Sequence, residues 1–163
     1  MGKIWVFGDD INTDALAPGK YMNAPLEQQV RYCLEHEDAE FAQHVKPGDM
    51  ILAGANFGVG SSREQAAEIL KYLGIERVLA QSFGGIFFRN AINLGLRVQP
   101  YQWVSQINPT AVHRTDVWVN ELQHLIHAEH GHLADLKPLP DFMNDMLRHG
   151  GLIPHLLHKN TRR

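Results

Sequence analysis

Apolar and polar positions follow two alternating periods over the first hundred residues. Short apolar runs occur at residues 3–7, 50–54 and 77–81, and runs of this length bounded by turn-forming residues predict β-strands. Residues 63–73 and 86–94 carry apolar side chains at helical spacing, and a glycine that can end a helix follows each segment. Strands that alternate with helices predict an α/β fold in which helices cover a sheet.

The chain between the first two predicted strands contains two different patterns. Residues 11–22 mix Asn, Asp, Pro and Gly, which is typical of a structured loop. Residues 25–36 begin with proline and continue with apolar residues at helical spacing, which predicts an amphipathic surface helix with Cys33 facing the core.

The last third of the chain has weaker patterns. Residues 96–101 and 115–120 predict strands, whereas residues 121–133 are compatible with either a hairpin or a helix. Asp141 is a candidate N-cap for a short helix that a Gly-Gly pair stops. Residues 159–163 are expected to form a frayed basic tail.

Composition excludes several classes of function. The chain has 163 residues, of which 44% are hydrophobic and 20% charged, and its formal net charge is −3. These values are typical of one folded domain and not of a polyanion-binding surface, so nucleic acid is not an expected partner. Because the apolar runs are too short for a membrane span or a signal peptide, no membrane contact and a cytoplasmic location are expected.

Cys33 is the only cysteine. One cysteine excludes an internal disulfide. It also excludes an iron–sulfur cluster ligated by this chain alone, since such clusters take several thiolates. Any cluster must therefore be supplied by another chain.

The stretch Ala-Asn-Phe-Gly-Val-Gly-Ser-Ser-Arg at residues 55–63 follows a predicted strand and precedes a predicted helix. It lacks the lysine of a phosphate-binding P-loop, the third glycine of a dinucleotide fingerprint and the spacing of a hydrolase nucleophile elbow. Glycines that let backbone N–H groups converge, two serines and a guanidinium indicate an anion site suited to a carboxylate. Equally, Ser61 with Glu64 and Ser62 with Gln65 each fit a capping box, so a well-capped helix without further function stays open.

Three segments in order, GDDINTD, NFGVGSSRE and SFGGIFFRNAINLGL, and a weaker match at LKPLPDFMNDMLRHGGL, resemble the small subunits of the isopropylmalate dehydratase type, which correspond to the swivelling domain of aconitases. The resemblance implies a β/β/α swivel domain over residues 1–163, with a core at about 1–100, C-terminal strands and a helix at about 101–158, and the tail. It also implies a hydro-lyase of leucine biosynthesis that is active only with a large subunit, as a heterodimer or heterotetramer. That large subunit would supply a [4Fe-4S] cluster.

The resemblance also assigns roles to the glycine-rich loop. Ser61 matches the position of the catalytic base, which removes a proton from carbon as an alkoxide. A serine needs N–H donors, a helix N-terminus and a cation nearby to ionise at neutral pH. Ser62 and Arg63 are expected to bind a substrate carboxylate, and a lysine could not reproduce the guanidinium fork.

Other positions carry supporting roles in the same resemblance. Asp14 is expected at the mouth of the site, where it would orient a group of the partner chain, although an Asx-turn is an alternative. Thr13 is expected to shape this loop with Asn12 and to contact substrate. The remaining loop-shaping residues are Asn56, Gly58 and Gly60.

The resemblance also assigns the choice of substrate to the loop that begins at the tyrosine of the Pro-Gly-Lys-Tyr segment. Its residues are Tyr21, Met22, Asn23 and Ala24. Met22 and Ala24 favour a small or apolar substituent over a third carboxylate, which would need a cation. We therefore expect 3-isopropylmalate, with 2,3-dimethylmalate, methylmalate-type acids and homoaconitate as alternatives. A non-catalytic carboxylate-binding module and a nucleotide-dependent enzyme are alternatives from other classes.

Two further features depart from the family or lack an assigned role. Gly84 and Gly85 stand where relatives often have Ala-Arg, which loosens a helix start, and Arg89 and Asn90 are expected to be helix-surface or subunit contacts. Four histidines lie close together in the sequence, and a polar hairpin or solvated helix face is favoured over a metal site for them. They are His124, His127, His130 and His132.

Overall fold

Seven strands close into a barrel in a computed structural model that describes residues 1–161, in the order β1-β2-β3-β4-β7-β6-β5. Strands β1 to β4 are parallel, and the remaining pairs, including β1 with β5, are antiparallel. The strands are β1 (Gly2–Val6), β2 (Met50–Ala53), β3 (Arg77–Ala80), β4 (Arg97–Trp103), β5 (Asp116–Val119), β6 (His124–His127) and β7 (Gly131–Leu136).

The helices connect the parallel strands or follow the last strand. They are α1 (Thr13–Leu16), α2 (Leu26–Gln29), α3 (Phe41–His44), α4 (Glu64–Tyr72), α5 (Gly85–Leu94), α6 (Asp141–Arg148) and α7 (Leu152–Asn160), with 3-10 turns at Gly19–Tyr21, Val30–Tyr32 and Pro109–Val112. Helices α4 and α5 are the crossovers between β2 and β3 and between β3 and β4. No helix within residues 1–161 has the length and apolar character needed to cross a bilayer.

The parallel strands are buried on both faces. In β2, Met50 and Leu52 pack inside the barrel, whereas Ile51 and Ala53 pack in a second core between the sheet and the helices. Burial on both faces explains why this strand is a continuous apolar run without alternation. The antiparallel half instead alternates, with Val117 and Leu125 inside the barrel.

Most predicted elements are confirmed. Strands occur in the expected runs, and residues 121–133 are part of the β6–β7 hairpin, whose strands are His124–His127 and Gly131–Leu136, and not of a helix. Gly74 follows the C-cap residue Leu73 of helix α4 and has φ 79°, and the N–H of Ile75 bonds to the carbonyl of Leu70 as in a Schellman motif. Gly95 ends α5 in the left-handed conformation at φ 80°.

The predicted helix over residues 25–36 is wrong. Helix α2 covers only Leu26–Gln29, and a 3-10 turn follows it. Leu34 has φ 58°, is wholly buried, and donates its N–H to the carbonyl of Ala15. Tertiary packing therefore interrupts a locally helical pattern, while Cys33 is buried as expected.

Two expectations at the C-terminus also need correction. Asp141 is the first residue of α6, and its N-cap is Pro140. A further helix, α7, begins after Gly151 and includes Lys159 and Asn160, which were expected in a frayed tail. A Cβ at Gly151 would lie 2.4 Å from the carbonyl oxygen of Asn93, so glycine allows α7 to approach the end of α5. Residues 162–163 of the expected tail lie outside the described residues.

A buried carboxylate ties the start of the sheet to the turn before β2. Asp49 is 5% exposed, and its oxygens accept hydrogen bonds from the backbone N–H of Lys3, the indole N–H of Trp5 and the backbone N–H of Lys46, each at 3.0 Å. Three N–H donors therefore satisfy this buried carboxylate.

Asp49→Ala is expected to lower the free energy of unfolding by about 3 kcal/mol or more, because it leaves these donors unpaired in the interior. Urea unfolding measures the change. Asp116→Ala is the control: its side chain is 58% exposed and 4.0 Å from the Lys3 ammonium, so the change there should stay within about 0.5 kcal/mol. Equal effects of the two substitutions would contradict the structural role of Asp49.

Candidate active site

Three loops meet at the carboxyl ends of β1, β2 and β3. Isolated parallel bridges join Asn12 to Val59 and Phe57 to Phe83. The N–H of Gly58 bonds to the carbonyl of Ile11 at 2.6 Å, and the N–H of Gly84 to the carbonyl of Phe57 at 2.8 Å. Carboxyl ends of adjacent parallel strands are the usual position for ligand sites in α/β proteins.

Glycine at residues 58 and 60 allows this close approach. Gly58 has φ 78°, and a Cβ there would lie 2.2 Å from the ring of Phe87. Gly60 has φ 115°, and its Cβ would lie 3.0 Å from Thr13 Oγ1. Both positions require the conformational freedom and the small size of glycine.

Asn56 is held in the left-handed region at φ 61°. Its side-chain amide donates to Asp10 Oδ1 at 2.9 Å, and its backbone N–H donates to Ser82 Oγ at 2.8 Å. Asn56 therefore connects the loops after β1, β2 and β3.

Both serines of the glycine-rich loop are exposed. Ser61 Oγ lies 3.4 Å from the hydroxyl of Thr13, whose side chain is buried at 3% exposure. Helix α4 begins at Glu64 with Arg63 as its N-cap, and no side-chain hydrogen bond caps it. The capping-box alternative is therefore wrong, because neither serine serves as a cap.

Arg63 joins the glycine-rich loop to α1. Its Nη1 donates to Asp14 Oδ1 at 2.7 Å and to the carbonyl of Ala17 at 3.1 Å, and its side chain is 22% exposed. Asp14 Oδ1 also accepts from the N–H of Gly19 at 2.9 Å. The hydrogen bond from Arg63, followed by that from Gly19, holds the pKa of Asp14 below its ordinary value.

A substituent at residue 19 would crowd the guanidinium. A Cβ on Gly19 would lie 3.2 Å from Arg63 Nη2. The hydrogen bonds of Arg63 to Asp14 and Ala17 use Nη1, and Nη2 lies next to Gly19. Such a fork matches the two oxygens of a carboxylate.

The segment at residues 21–24 is braced by two residues that the sequence analysis missed. The ring of Tyr32 stacks on Tyr21 at 3.6 Å between centroids, and Gln29 Nε2 donates to the carbonyl of Ala24 at 2.7 Å. Gln29 is 6% exposed. A polar residue in a predicted surface helix carries no local pattern that would indicate this role.

Lys20 adds a cation next to the same segment. Its ammonium lies 4.8 Å from the Tyr21 ring centroid and 3.8 Å from Glu35 Oε1. Tyr21, Met22 and Ala24 are partly buried, and Asn23 is exposed. The segment therefore presents uncharged side chains, and the adjacent Lys20 ammonium is close to the Glu35 carboxylate.

Gly84 and Gly85, in the loop after β3, stand where relatives often have Ala-Arg, and the space around the two glycines differs. A Cβ on Gly84 would lie 2.8 Å from the carbonyl oxygen of Gly58, so glycine maintains the loop contact. Within residues 1–161, no atom apart from the adjacent residues and the helix's own backbone lies within 4 Å of such a Cβ on Gly85. Arg89 is exposed and Asn90 partly exposed on α5.

The sequence matches a known domain and known proteins over most of its length. The family model described as the Aconitase C-terminal domain matches residues 9–98. A 3-isopropylmalate dehydratase small subunit 1 from Archaeoglobus fulgidus is 44% identical over 155 residues, which are 94% of each chain. The chain belongs to the 3-isopropylmalate dehydratase small-subunit family. The family member from Thermotoga maritima, also called small subunit 1, is 40% identical over 95% of this chain and 93% of its own.

The fold agrees with that of a solved member of the family. The crystal structure of a 3-isopropylmalate dehydratase from Methanocaldococcus jannaschii matches with a TM-score of 0.85 and 35% identity, over 98% of this chain and 94% of that one. The resemblance predicted from three sequence segments is thus confirmed, and so is the expected aconitase-type α/β fold, here built around a closed seven-stranded barrel.

Gly58→Ala is expected to destabilise this small-subunit family member by about 2–4 kcal/mol, since it strains the backbone and forces the Phe87 ring to move. Urea unfolding tests this. Gly85→Ala is the matched control: no neighbour obstructs it, and alanine in the first turn of α5 should leave stability unchanged or raise it by up to about 1 kcal/mol. A tolerated Gly58→Ala would show that the loops do not require this close approach.

Arg63→Gln is expected to raise the pKa of Asp14 toward its ordinary value of about 3.9, because the main cause of its lowered value is removed. A folded-state pKa below the unfolded one stabilises the protein above the unfolded pKa, and this contribution is lost as pH falls through the folded pKa. The stability difference between wild type and variant should therefore shrink below about pH 4.

NMR titration of the Asp14 carboxyl carbon measures the shift directly, and urea unfolding at neutral and acidic pH measures the linkage. Lys137→Gln, which removes an exposed cation from another loop, is the control and should leave the Asp14 titration unchanged. An identical Asp14 pKa in Arg63→Gln and wild type would contradict the pairing.

Proposed function

We propose that this chain is the small subunit of a 3-isopropylmalate dehydratase, a hydro-lyase of leucine biosynthesis that isomerises a hydroxy dicarboxylic acid by dehydration and rehydration. The observation that carries the proposal is the exposed residue Ser61 on the loop that Arg63 anchors, in a chain related over 94% of its length to such subunits. The whole chain would act as one swivelling domain that closes over the large subunit.

In this proposal, Ser61 is the catalytic base. Its Oγ takes the proton from the carbon next to a substrate carboxylate, and returns a proton to carbon when water is added back. The alkoxide needs hydrogen-bond donors, because serine ionises only well above neutral pH in water. The Thr13 hydroxyl at 3.4 Å from Oγ supports this role, since its proton can be donated to the alkoxide. We assign Thr13 to positioning Ser61, because it is buried.

Substrate carboxylate binding is assigned to Ser62 and Arg63. The Ser62 hydroxyl is exposed beside Ser61, and a bound carboxylate would hold the carbon acid against the base. Asp14 already accepts from Nη1 of Arg63 at 2.7 Å, so Nη2 and Nε are the donors assigned to substrate. The Asp14 carboxylate would thus orient the Arg63 guanidinium, in addition to the expected role of orienting a group of the partner chain.

The donor set of this chain does not fit an iron–sulfur cluster. Cys33 is the only cysteine, it is wholly buried, and burial raises the pKa of its thiol, whereas cluster ligands are thiolates. We therefore assign a [4Fe-4S] cluster, and the departure of the substrate hydroxyl, to the large subunit. The assembly would be a heterodimer or heterotetramer, and its metabolic role would place it in the cytoplasm.

The substrate's side chain is assigned to the segment at residues 21–24. Met22 and Ala24 favour a small or apolar substituent, and the neighbouring Lys20 is already close to Glu35. We therefore favour 3-isopropylmalate, with 2,3-dimethylmalate and methylmalate-type acids next and homoaconitate disfavoured. A substrate panel on the reconstituted complex would rank these acids.

Ser61→Ala is expected to lower kcat by about 10²–10⁴-fold with little change in KM, since the base is lost while carboxylate binding remains. The assay measures the unsaturated acid formed after co-expression with the large subunit and anaerobic cluster reconstitution. Ser105→Ala, at a partly buried serine near a different turn, is the control and should keep full activity.

Near-normal turnover by Ser61→Ala would contradict its role as base. A non-catalytic carboxylate-binding module would instead bind the dicarboxylic acid as an isolated chain and give no turnover in the reconstituted complex. Calorimetric titration of the isolated chain with 3-isopropylmalate distinguishes that outcome.

A further inference from the structure

The β6–β7 hairpin brings two histidines and an aspartate together on the outer wall of the barrel. His124 on β6 is paired in register with Asp135 on β7, and Ile126 is paired with His132. Residues 132 and 135 would point to opposite faces of a regular strand. A register shift between Leu125 and Ile126 inserts one extra residue in β7, and this irregularity places both side chains on the same face.

The two residues between them fill the barrel instead. Leu133 and Ala134 are both fully buried in the barrel core, whereas His132 is exposed and Asp135 partly exposed. The bulge therefore places the side chains of His132 and Asp135 on the outer face of the hairpin, beside His124.

The three side chains lie at distances typical of a set of metal ligands. His132 Nε2 is 2.7 Å and His124 Nε2 is 3.5 Å from Asp135 Oδ1, and one ligand atom from each residue lies within 4.8 Å of the others. The two imidazole rings stack at 4.1 Å between centroids with an interplanar angle of 22°. Tetrahedral zinc with bonds of about 2.0–2.1 Å separates its ligand atoms by about 3.3 Å, so small side-chain movements would complete the site.

Asp135 Oδ1 provides a second observation. This oxygen is shielded from solvent and has no hydrogen-bond partner within residues 1–161, although two imidazole nitrogens face it. A cation between the carboxylate and the two imidazoles would satisfy it.

The other two histidines of the hairpin are arranged differently. His127 is 7% exposed, and its Nδ1 accepts hydrogen bonds from the backbone N–H groups of Glu129 and His130 at 3.1 and 3.2 Å. His127 therefore shapes the turn, and the ring of His130 stacks on it at 4.8 Å. The four histidines, which are close together in the sequence, therefore form two separate pairs in the structure.

We propose that His124, His132 and Asp135 form a binding site for a divalent first-row transition-metal ion such as Zn²⁺. Two imidazoles and one carboxylate are ligands that such ions prefer over Mg²⁺ or Ca²⁺, and three protein ligands leave a fourth position for water. The bound ion would join β6 to β7. This replaces the expectation that the histidine-rich segment is only a polar hairpin.

Calorimetric titration of the metal-stripped full chain with Zn²⁺ tests the proposal. We expect one equivalent to bind and, at a 100-fold excess of free Zn²⁺ over Kd, a rise in Tm of at least about 5 °C. His132→Gln and Asp135→Asn should each weaken binding by at least about 100-fold, because losing even an outer partner of a metal ligand costs 10–100-fold. Both substitutions are at surface positions, so folding should be retained, which circular dichroism verifies.

Two controls make the assignment specific. His130→Gln, on the same hairpin, and His149→Gln, in the contact between His149 and His155 that joins α6 to α7, should bind Zn²⁺ like the wild type. The absence of stoichiometric Zn²⁺ binding would overturn the proposal. So would binding that survives His132→Gln and Asp135→Asn but is lost in His149→Gln, since the ion would then lie at the C-terminal helices.

Discussion

The close approach of three loops at the carboxyl ends of β1, β2 and β3 is the constraint on which the site depends. It requires a residue without a side chain at position 58, where the backbone has φ 78° and the Phe87 ring fills the space a Cβ would occupy. The N–H of Gly58 can then reach the carbonyl of Ile11. This contact brings the chain around Ser61 beside Thr13, so the position of the candidate base follows from backbone packing.

The ion pair between Arg63 and Asp14 is a second interaction that joins the loops after β1 and β2. Arg63 is anchored to α1 through Asp14 and the carbonyl of Ala17, although 49 residues separate Arg63 from Asp14. Because the pair is partly exposed, its contribution to stability is small. The pair holds the guanidinium fork in one orientation, as the proposed binding of a substrate carboxylate by Arg63 requires.

The parallel and antiparallel halves of the barrel differ in what covers their outer faces. Helices cover the parallel half, so its strands are apolar on both faces and their carboxyl ends present the loops of the site. The outer face of the β6–β7 hairpin carries polar side chains, and the bulge brings His124, His132 and Asp135 close together on this face. Each group of functional side chains thus arises where the regular strand geometry ends or is interrupted.

The sequence by itself predicted the strands β1 to β4, the crossover helices α4 and α5 with the glycines that end them, and membership of the family through three ordered segments, but it predicted neither α1 nor α3. These features depend on neighbours a few residues apart, which a local pattern records. The tertiary structure alone decided that the helix predicted over residues 25–36 ends at Gln29, that Arg63 pairs with Asp14, and that His132 and Asp135 share a face. Burial, ion pairing and strand register join distant residues, and no local periodicity encodes such contacts.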